Sequence, residues 1–484
     1  MKVAVIGSGP SGWAVFEELK DMGHDVTIID AGLEEKDKSD NSIDKDSMKT
    51  NKKLYFGSDL PYRDFPFGPI HRKSKVNPIS SFSQGGLSLV WGATMLPYSS
   101  SDTKNWPFPI SDLTPFFSKI SKLIPISGVK GDVGENSEAF VSRRSIFPSQ
   151  RIVRMLEKYN SKSYKKNIIG ISKLAVETGA LDKPGCYYCN KCMTGCPSNY
   201  IWSSKGKFVE NKIINIRVLE IKESNNAVFV SGVNKHGDEV RDLCFEKVYL
   251  ASGSVESFRI LANSDLVQKE VTLQDSATFF LPIFSSRKLG KPKLSSFGLS
   301  QLFIKILGSA NSHPSQYQIY EYSEDILRRA REANFMGRII PKSILRIILK
   351  KMLIAIGYLD GKQSPSIQMR LASDGSVELS LFNSGVTLNQ RNRFIKKSIL
   401  DLKNELTSLG AFPISFLSVI SKPGEGVHSG GWLQMGKGSN LLGVPLGCSN
   451  IHVVDSSVLP SIAAGPITFT VMANAMRIAR QSQC

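Results

Sequence analysis

Three sets of residues in this chain have the types and spacing to do chemistry. Near the amino terminus, Gly7, Gly9 and Gly12 form a G-x-G-x-x-G motif with Pro10 and Ser11 inside it. In the middle, Cys186, Cys189, Cys192 and Cys196 run into Pro197 with the spacing C-x2-C-x2-C-x3-C-P. Toward the carboxyl end, His428 stands before Ser429, Gly430 and Gly431. The glycines suit a pyrophosphate: the first makes a tight turn, the second lets backbone approach the phosphates, and the third lets a helix pack close to its strand. The cysteine spacing is the one bacterial ferredoxins use to hold iron–sulfur clusters, and soft thiolates also take zinc; free thiols or disulfides are the bland alternatives. A histidine, with an ordinary pKa of about 6.5, can accept and release a proton near neutrality, so His428 is a candidate general base. Cys244, Cys448 and Cys484 are isolated and read as ordinary thiols.

These groups need elements to position them. The apolar run Lys2 to Ile6 predicts a strand that leads straight into the glycine motif, and Trp13, Val15, Phe16 and Leu19 mark one face of the helix after it. A second apolar strand, Asp25 to Asp30, ends in a carboxylate placed to hydrogen-bond an adenosine ribose. Strand, glycines, helix, strand and acid in that order predict a dinucleotide site. The charged stretch Glu34 to Lys53 reads as a surface excursion, and the small residues of Gly85 to Ala93 let backbone approach a flat ligand. Proline and Ser or Asp caps after Trp106 open a helix through Phe116, Phe117 and Ile120. The strand Val248 to Ala251 runs into Ser252, Gly253 and Ser254, which repeats the sense of the opening unit. Residues 270 to 420 carry alternating strands such as Ser366 to Leu371, which predict a second, sheet-based domain. The stretch Phe335 to Ile356 is apolar and basic, and it reads as helix beyond Pro341; it would suit the interface of an anionic membrane.

A chain of 484 residues can bury more than one core, and its composition is that of a folded, water-soluble protein. No apolar run is long enough to span a membrane. The motif begins at the second residue, which predicts no cleavable leader and a cytoplasmic location. The formal net charge of +18 favours an anionic partner, a membrane surface or a phosphorylated substrate. No nucleic-acid-binding signature is present, so nucleic acid is not expected as a partner.

Taken in order, these motifs resemble the glucose-methanol-choline family of FAD-dependent oxidoreductases over nearly the whole chain. The match rests on the opening glycines, on Gly85 to Gly92, on Trp106 to Leu113, and on Leu250 to Ser257 with Arg259 and Leu261. At the carboxyl end it rests on His428 to Gly436 and Val453 to Pro460. The resemblance is strongest to the branch of pyranose oxidases and bacterial sugar dehydrogenases. It implies an α/β fold with a Rossmann-type FAD-binding domain (1–105, 205–265, 420–484) and an α+β substrate domain on an antiparallel sheet (106–204, 266–419), with the cysteine-rich segment 186–197 in the latter. It implies FAD held by Gly7, Gly9, Pro10, Ser11, Gly12 and Asp30, by Gly85, Gly86, Ser88, Trp91 and Gly92, by Ala251, Ser252 and Gly253, and by Asp455 and Thr468. Val90 stands where some relatives tether the flavin through histidine, so the FAD is expected to be non-covalent. His428 matches the proton-handling histidine. The family's second catalytic position, usually Asn or His, falls on Gly465 or Pro466, neither of which offers a hydrogen-bonding side chain.

The resulting expectation is a dehydrogenase that oxidises a hydroxyl group of a sugar, glycan or lipid-linked molecule. Electrons would leave through an iron–sulfur cluster of 3Fe–4S or 4Fe–4S type on Cys186, Cys189, Cys192 and Cys196, toward a partner protein or quinone. The departure at Pro466 keeps two rivals open, a flavin reductase of a carbonyl or alkene and a non-catalytic electron-transfer protein.

Overall fold

In chain order, the elements that build the site are β1 (Lys2–Ile6), α1 (Pro10–Asp21), β2 (Asp25–Asp30), β3 (Ile168–Ile171), β4 (Ile213–Asn215), β5 (Lys247–Leu250) and α2 (Ser254–Asn263). They continue with β6 (Glu270–Asp275), β7 (Thr278–Ser285), β8 (Leu302–Ile306), β9 (Ser315–Tyr320), α3 (Glu324–Ala333), α4 (Lys342–Lys350), β10 (Met352–Leu359), β11 (Ile367–Leu371), β12 (Val377–Leu381) and α5 (Leu388–Leu409). The last are β13 (Ala411–Pro413), β14 (Val419–Ile420), β15 (Ser429–Gly430), β16 (Ile451–Val453) and α6 (Thr468–Gln481). The computed structural model describes residues 1–33, 58, 63–66, 76, 78–131, 140–179, 184–209, 212–290, 297–308, 313–333 and 338–483. The charged stretch Glu34 to Lys53 and the residues Phe335 to Gly337 lie outside these.

Val3 to Ile6 are buried on both faces, the signature of a central parallel strand, and β1 lies in the middle of a five-stranded parallel sheet in the order β16-β5-β1-β2-β4. Val5 faces Ile28 on one side and Tyr249 on the other. The chain order reverses on either side of β1, so the loops after β1, β2, β5 and β16 gather at one edge, the switch point where open α/β sheets bind ligands. Helix α6 packs along α1, and Arg480 pairs with the buried Glu18 between them.

Two larger sheets are antiparallel. Strands β13-β7-β10-β9-β8-β3 form one sheet, with β14 also paired to β7, and β12-β11-β6-β15 form another. In β7, Phe279, Leu281 and Ile283 are fully buried, in one core with Ile395, Ile399, Leu402 and Leu406 of α5. The Tyr317 hydroxyl of β9 bonds Ser398 of α5, which puts α5 over the same odd-numbered face. The even-numbered face, Thr278, Phe280, Gln318, Tyr320, Ile356 and Tyr358, looks the other way, into a cavity.

The basic apolar stretch differs from its sequence reading. Helix α4 stops at Lys350, and Met352 to Ile356 belong to β10, paired with β7. A continuous helix gives way there because β-branched and aromatic neighbours in β7 and β9 pair with those residues. No helix among the described residues is long and apolar enough to cross a membrane.

Candidate active site

The turn after β1 shows why its three glycines differ. A side chain at Gly7 would come within 2.4 Å of the Ala251 carbonyl oxygen, and one at Gly12 within 1.9 Å of the Gly7 carbonyl oxygen. These two glycines therefore permit close backbone packing of the turn against β5 and of α1 against the turn. Gly9 caps α1, and a Cβ there would meet nothing within 4 Å. It borders open space at a helix amino terminus, the ground an anion prefers.

Asp30 holds this turn as well as facing the cavity. One carboxylate oxygen accepts from the Ser8 amide at 2.8 Å and the Ser8 hydroxyl at 2.7 Å, and the other accepts from the Gly32 amide at 2.8 Å. Burial raises its pKa, and these three donors counter the effect. Ser8 is also the link to the second glycine segment: its Oγ accepts from the Gly85 amide at 2.8 Å, and Ser204 donates to its carbonyl at 2.8 Å. Ser88 bonds the Gly85 carbonyl at 2.6 Å, and Trp91 donates to the Trp202 carbonyl at 2.9 Å. At the other side, buried Asp455 accepts from the Gly253 amide, the Ser257 hydroxyl and both the amide and hydroxyl of Ser457. Asp455 thus joins the turns after β5 and β16 and presets the start of α2.

Of the residues predicted to hold a cofactor, all but Gly12 and Gly85 line one cavity of about 350 Å³. Gly12 and Gly85 stand behind its wall. The sequence reading missed Ile216, Arg217 and Val218, which also reach it. Arg217 lies over the ring of Phe82 at 4.9 Å and faces Glu256. No local motif marks that segment.

His428 enters the same cavity from the segment before β15. Asp275 clamps this segment from β6: it pairs with Ser429, accepts from the Gly424 amide at 2.8 Å, and its neighbour Ser276 donates to the His428 carbonyl at 3.0 Å. Burial pushes the Asp275 carboxyl up to about 7. Val427, immediately before the histidine, has φ +56°, a conformation that a β-branched side chain adopts only under constraint. His428 is 9% exposed, and its Nδ1 is buried with no hydrogen-bond partner, which leaves Nε2 for the cavity. Burial lowers its pKa to about 4, so the ring is neutral at physiological pH and able to accept a proton.

Beside it lies a group that sequence reasoning did not identify. The Tyr358 ring lies tilted by 31° against the His428 ring at 4.9 Å, and Tyr358 lines the cavity. Burial raises its pKa, with no hydrogen bond opposing the effect, so the phenol keeps its proton. Gly465 takes φ +124°, and a side chain there would come within 1.9 Å of Gln316 Oε1. Gln316 therefore fills the space that a side chain at Gly465 would need, a steric reason for glycine at this position. Pro466 and Thr468 remain on the cavity wall.

The cysteine run does not form the cradle that its spacing predicts. Among the described residues, no three His, Cys, Asp or Glu side chains are grouped to hold a metal ion. Cys192 is buried, its sulfur accepts from the Gly298 amide, and burial pushes its thiol up to about 12. Cys186 is likewise raised by burial while accepting from the Tyr188 amide. The run instead places Met193 in the cavity wall.

No protein-family model matches the chain, and no curated protein matches it. Among solved structures, the crystal structure of pyridoxine 4-oxidase from Mesorbium loti matches with a TM-score of 0.60 at 15% identity, over 99% of this chain and 98% of that one. The two chains share one fold over nearly their whole lengths, here a parallel sheet joined to antiparallel sheets.

Proposed function

We propose that the protein is an FAD-dependent oxidoreductase acting on CH–OH groups, of the glucose-methanol-choline type. One observation carries this reading: the Gly9 turn and a buried, neutral His428 open onto the same cavity. The residues fit the cofactor. Gly9 and the start of α1 would receive the pyrophosphate, Asp30 the ribose, and Gly86 to Gly92 the flat ring system. Val90 offers no nucleophile, so the FAD is non-covalent. When bound, FAD supplies a hydride acceptor.

The chain's own residues handle the proton. His428 Nε2 receives it from the substrate hydroxyl, and Tyr358 donates a hydrogen bond to the same oxygen as charge develops there. Tyr358 thereby supplies the donor that Gly465 and Pro466 lack, which favours alcohol oxidation over a reductase or a non-catalytic carrier. Phe280 and Ile356 exclude water from this end of the cavity. No step uses the cysteines.

The test has two parts. Flavin released from the purified or reconstituted protein is identified by chromatography. Anaerobic bleaching of the bound flavin is then followed with a panel of sugars, aliphatic alcohols and pyridoxine. At least one alcohol should bleach wild type rapidly and His428→Ala slowly. Failure to take up FAD, or equal bleaching in both proteins, overturns the reading.

A further inference from the structure

The even-numbered face of β7 and β10 does not end where the cavity ends. Paired rows run along it: Thr278 with Tyr358, Phe280 with Ile356, Pro282 with Ile354, and Phe284 with Met352. The first two rows line the cavity. The last lies four residues on from Ile356, about 13 Å along the strand. Helix α4 covers that end, with Leu345 and Leu349 buried against Met352 and Tyr322 in a small core of their own.

The outer side of α4 is uncovered. Ile344 is 50% exposed, Ile347 58% and Ile348 38%. Next to it, Phe284 and Phe412 pair across β7 and β13 and are each about 40% exposed, and Phe416 is 85% exposed. A helix that packed only on its own core would not present a second apolar side. Around these residues stand Lys342, Arg346, Lys350 and Lys351; α4 carries no acid, and Arg346 pairs with Glu324 of α3, which Lys342 also faces. An amphipathic helix whose apolar side is bordered by lysine and arginine matches the interface of an anionic bilayer, and the net charge of +18 has the sign to draw the protein there.

We propose that α4 and the adjoining Phe284–Phe412–Phe416 edge dock on an anionic membrane. Docking sets the outer end of the cavity's sheet face at the lipid interface. Resting on the reading of the site given above, this assigns amphiphilic alcohols, with a hydroxyl head and an apolar tail, as the substrate class.

Docking is tested without reference to activity. The full-length, FAD-loaded protein is floated with vesicles of phosphatidylcholine alone or mixed with phosphatidylglycerol. Binding to the mixed vesicles should exceed binding to neutral ones by about tenfold or more and fall with added salt. The double variant Ile344→Asn/Ile347→Asn should lose that binding while keeping its circular dichroism, flavin content and bleaching by a water-soluble alcohol. A second variant, Lys342→Glu/Lys350→Glu, should lose only the preference for anionic lipid. No flotation with mixed vesicles overturns the proposal, as does equal flotation by wild type and the isoleucine variant. A wild-type dimer on size exclusion that the isoleucine variant dissociates also overturns it, because the occupant is then a second copy. Flotation without any alcohol bleaching would leave docking standing and remove the oxidase reading. Bleaching of soluble alcohols only, with no lipid binding, would do the reverse.

Discussion

The two ends of the cavity are built by different rules. The end proposed for the nucleotide is made by turns that follow parallel strands, where each motif is contiguous and backbone does most of the work: Gly7, Gly9, Gly12 and Gly253 act through what they lack. The end proposed for the reaction is made by side chains from three antiparallel strands and one loop. His428, Tyr358, Gln318 and Phe280 are far apart in sequence and meet only through sheet register. A contiguous backbone site tolerates almost no change of shape. A site assembled by register can draw the same function from a different strand, which is the role proposed for Tyr358 where Gly465 and Pro466 offer no side-chain donor.

The sharpest break in this comparison comes from the glycines themselves. Gly12→Ala puts a methyl group 1.9 Å from a backbone oxygen that cannot yield locally, so loss of at least about 3 kcal/mol of stability and of bound flavin is expected in thermal melts and absorbance spectra. Gly9→Ala meets open space; the protein should melt within about 1 kcal/mol of wild type yet bind FAD at least about tenfold more weakly. Equal destabilisation by the two changes would show that the turn does not separate packing from binding.

At the reaction end, His428→Ala should slow substrate-dependent flavin reduction by about 10²–10⁴-fold with flavin content unchanged. Because burial holds the imidazole near 4, the acid limb of kcat/KM should fall near that value, well below the 6.5 of a free histidine. Tyr358→Phe removes one hydrogen bond to a charged oxygen and should cost about 10–100-fold in the same rate, with kcat affected more than KM.

The smallest effect concerns the clamp behind His428. Asp275 binds its proton more tightly when folded, at about 7 against an ordinary 3.8. The folded state therefore loses stability as pH rises between those values, and the loss is complete above 7. Asp275→Asn keeps an acceptor for the Gly424 amide without the buried charge. Its melting temperature should exceed wild type at pH 8 and match it below pH 4. A variant less stable at pH 8 would mean that the ionised carboxylate supports the loop.

Some of this was legible without coordinates. The first βαβ unit could be read residue by residue because its period, turn and terminal acid are local, and the alternation of Ser366 to Leu371 marked a strand, which the structure places in a four-stranded antiparallel sheet. The cysteine run shows the limit of spacing: it states which thiols can converge, yet among the described residues no group of three ligands is placed to hold a metal ion. The stretch after Pro341 misled because helix propensity is a weak prior against strand neighbours that pair with Met352 to Ile356.

The order of residues alone marked the glycine turn and the histidine that line one cavity, since both depend on short-range turns and on the absence of side chains. Only the tertiary structure decided what stands opposite that histidine. Pairing Thr278 with Tyr358 and Gln316 with Tyr358 takes three strands in register, and register is set by burial of the whole odd-numbered face on α5, a property of the assembled core.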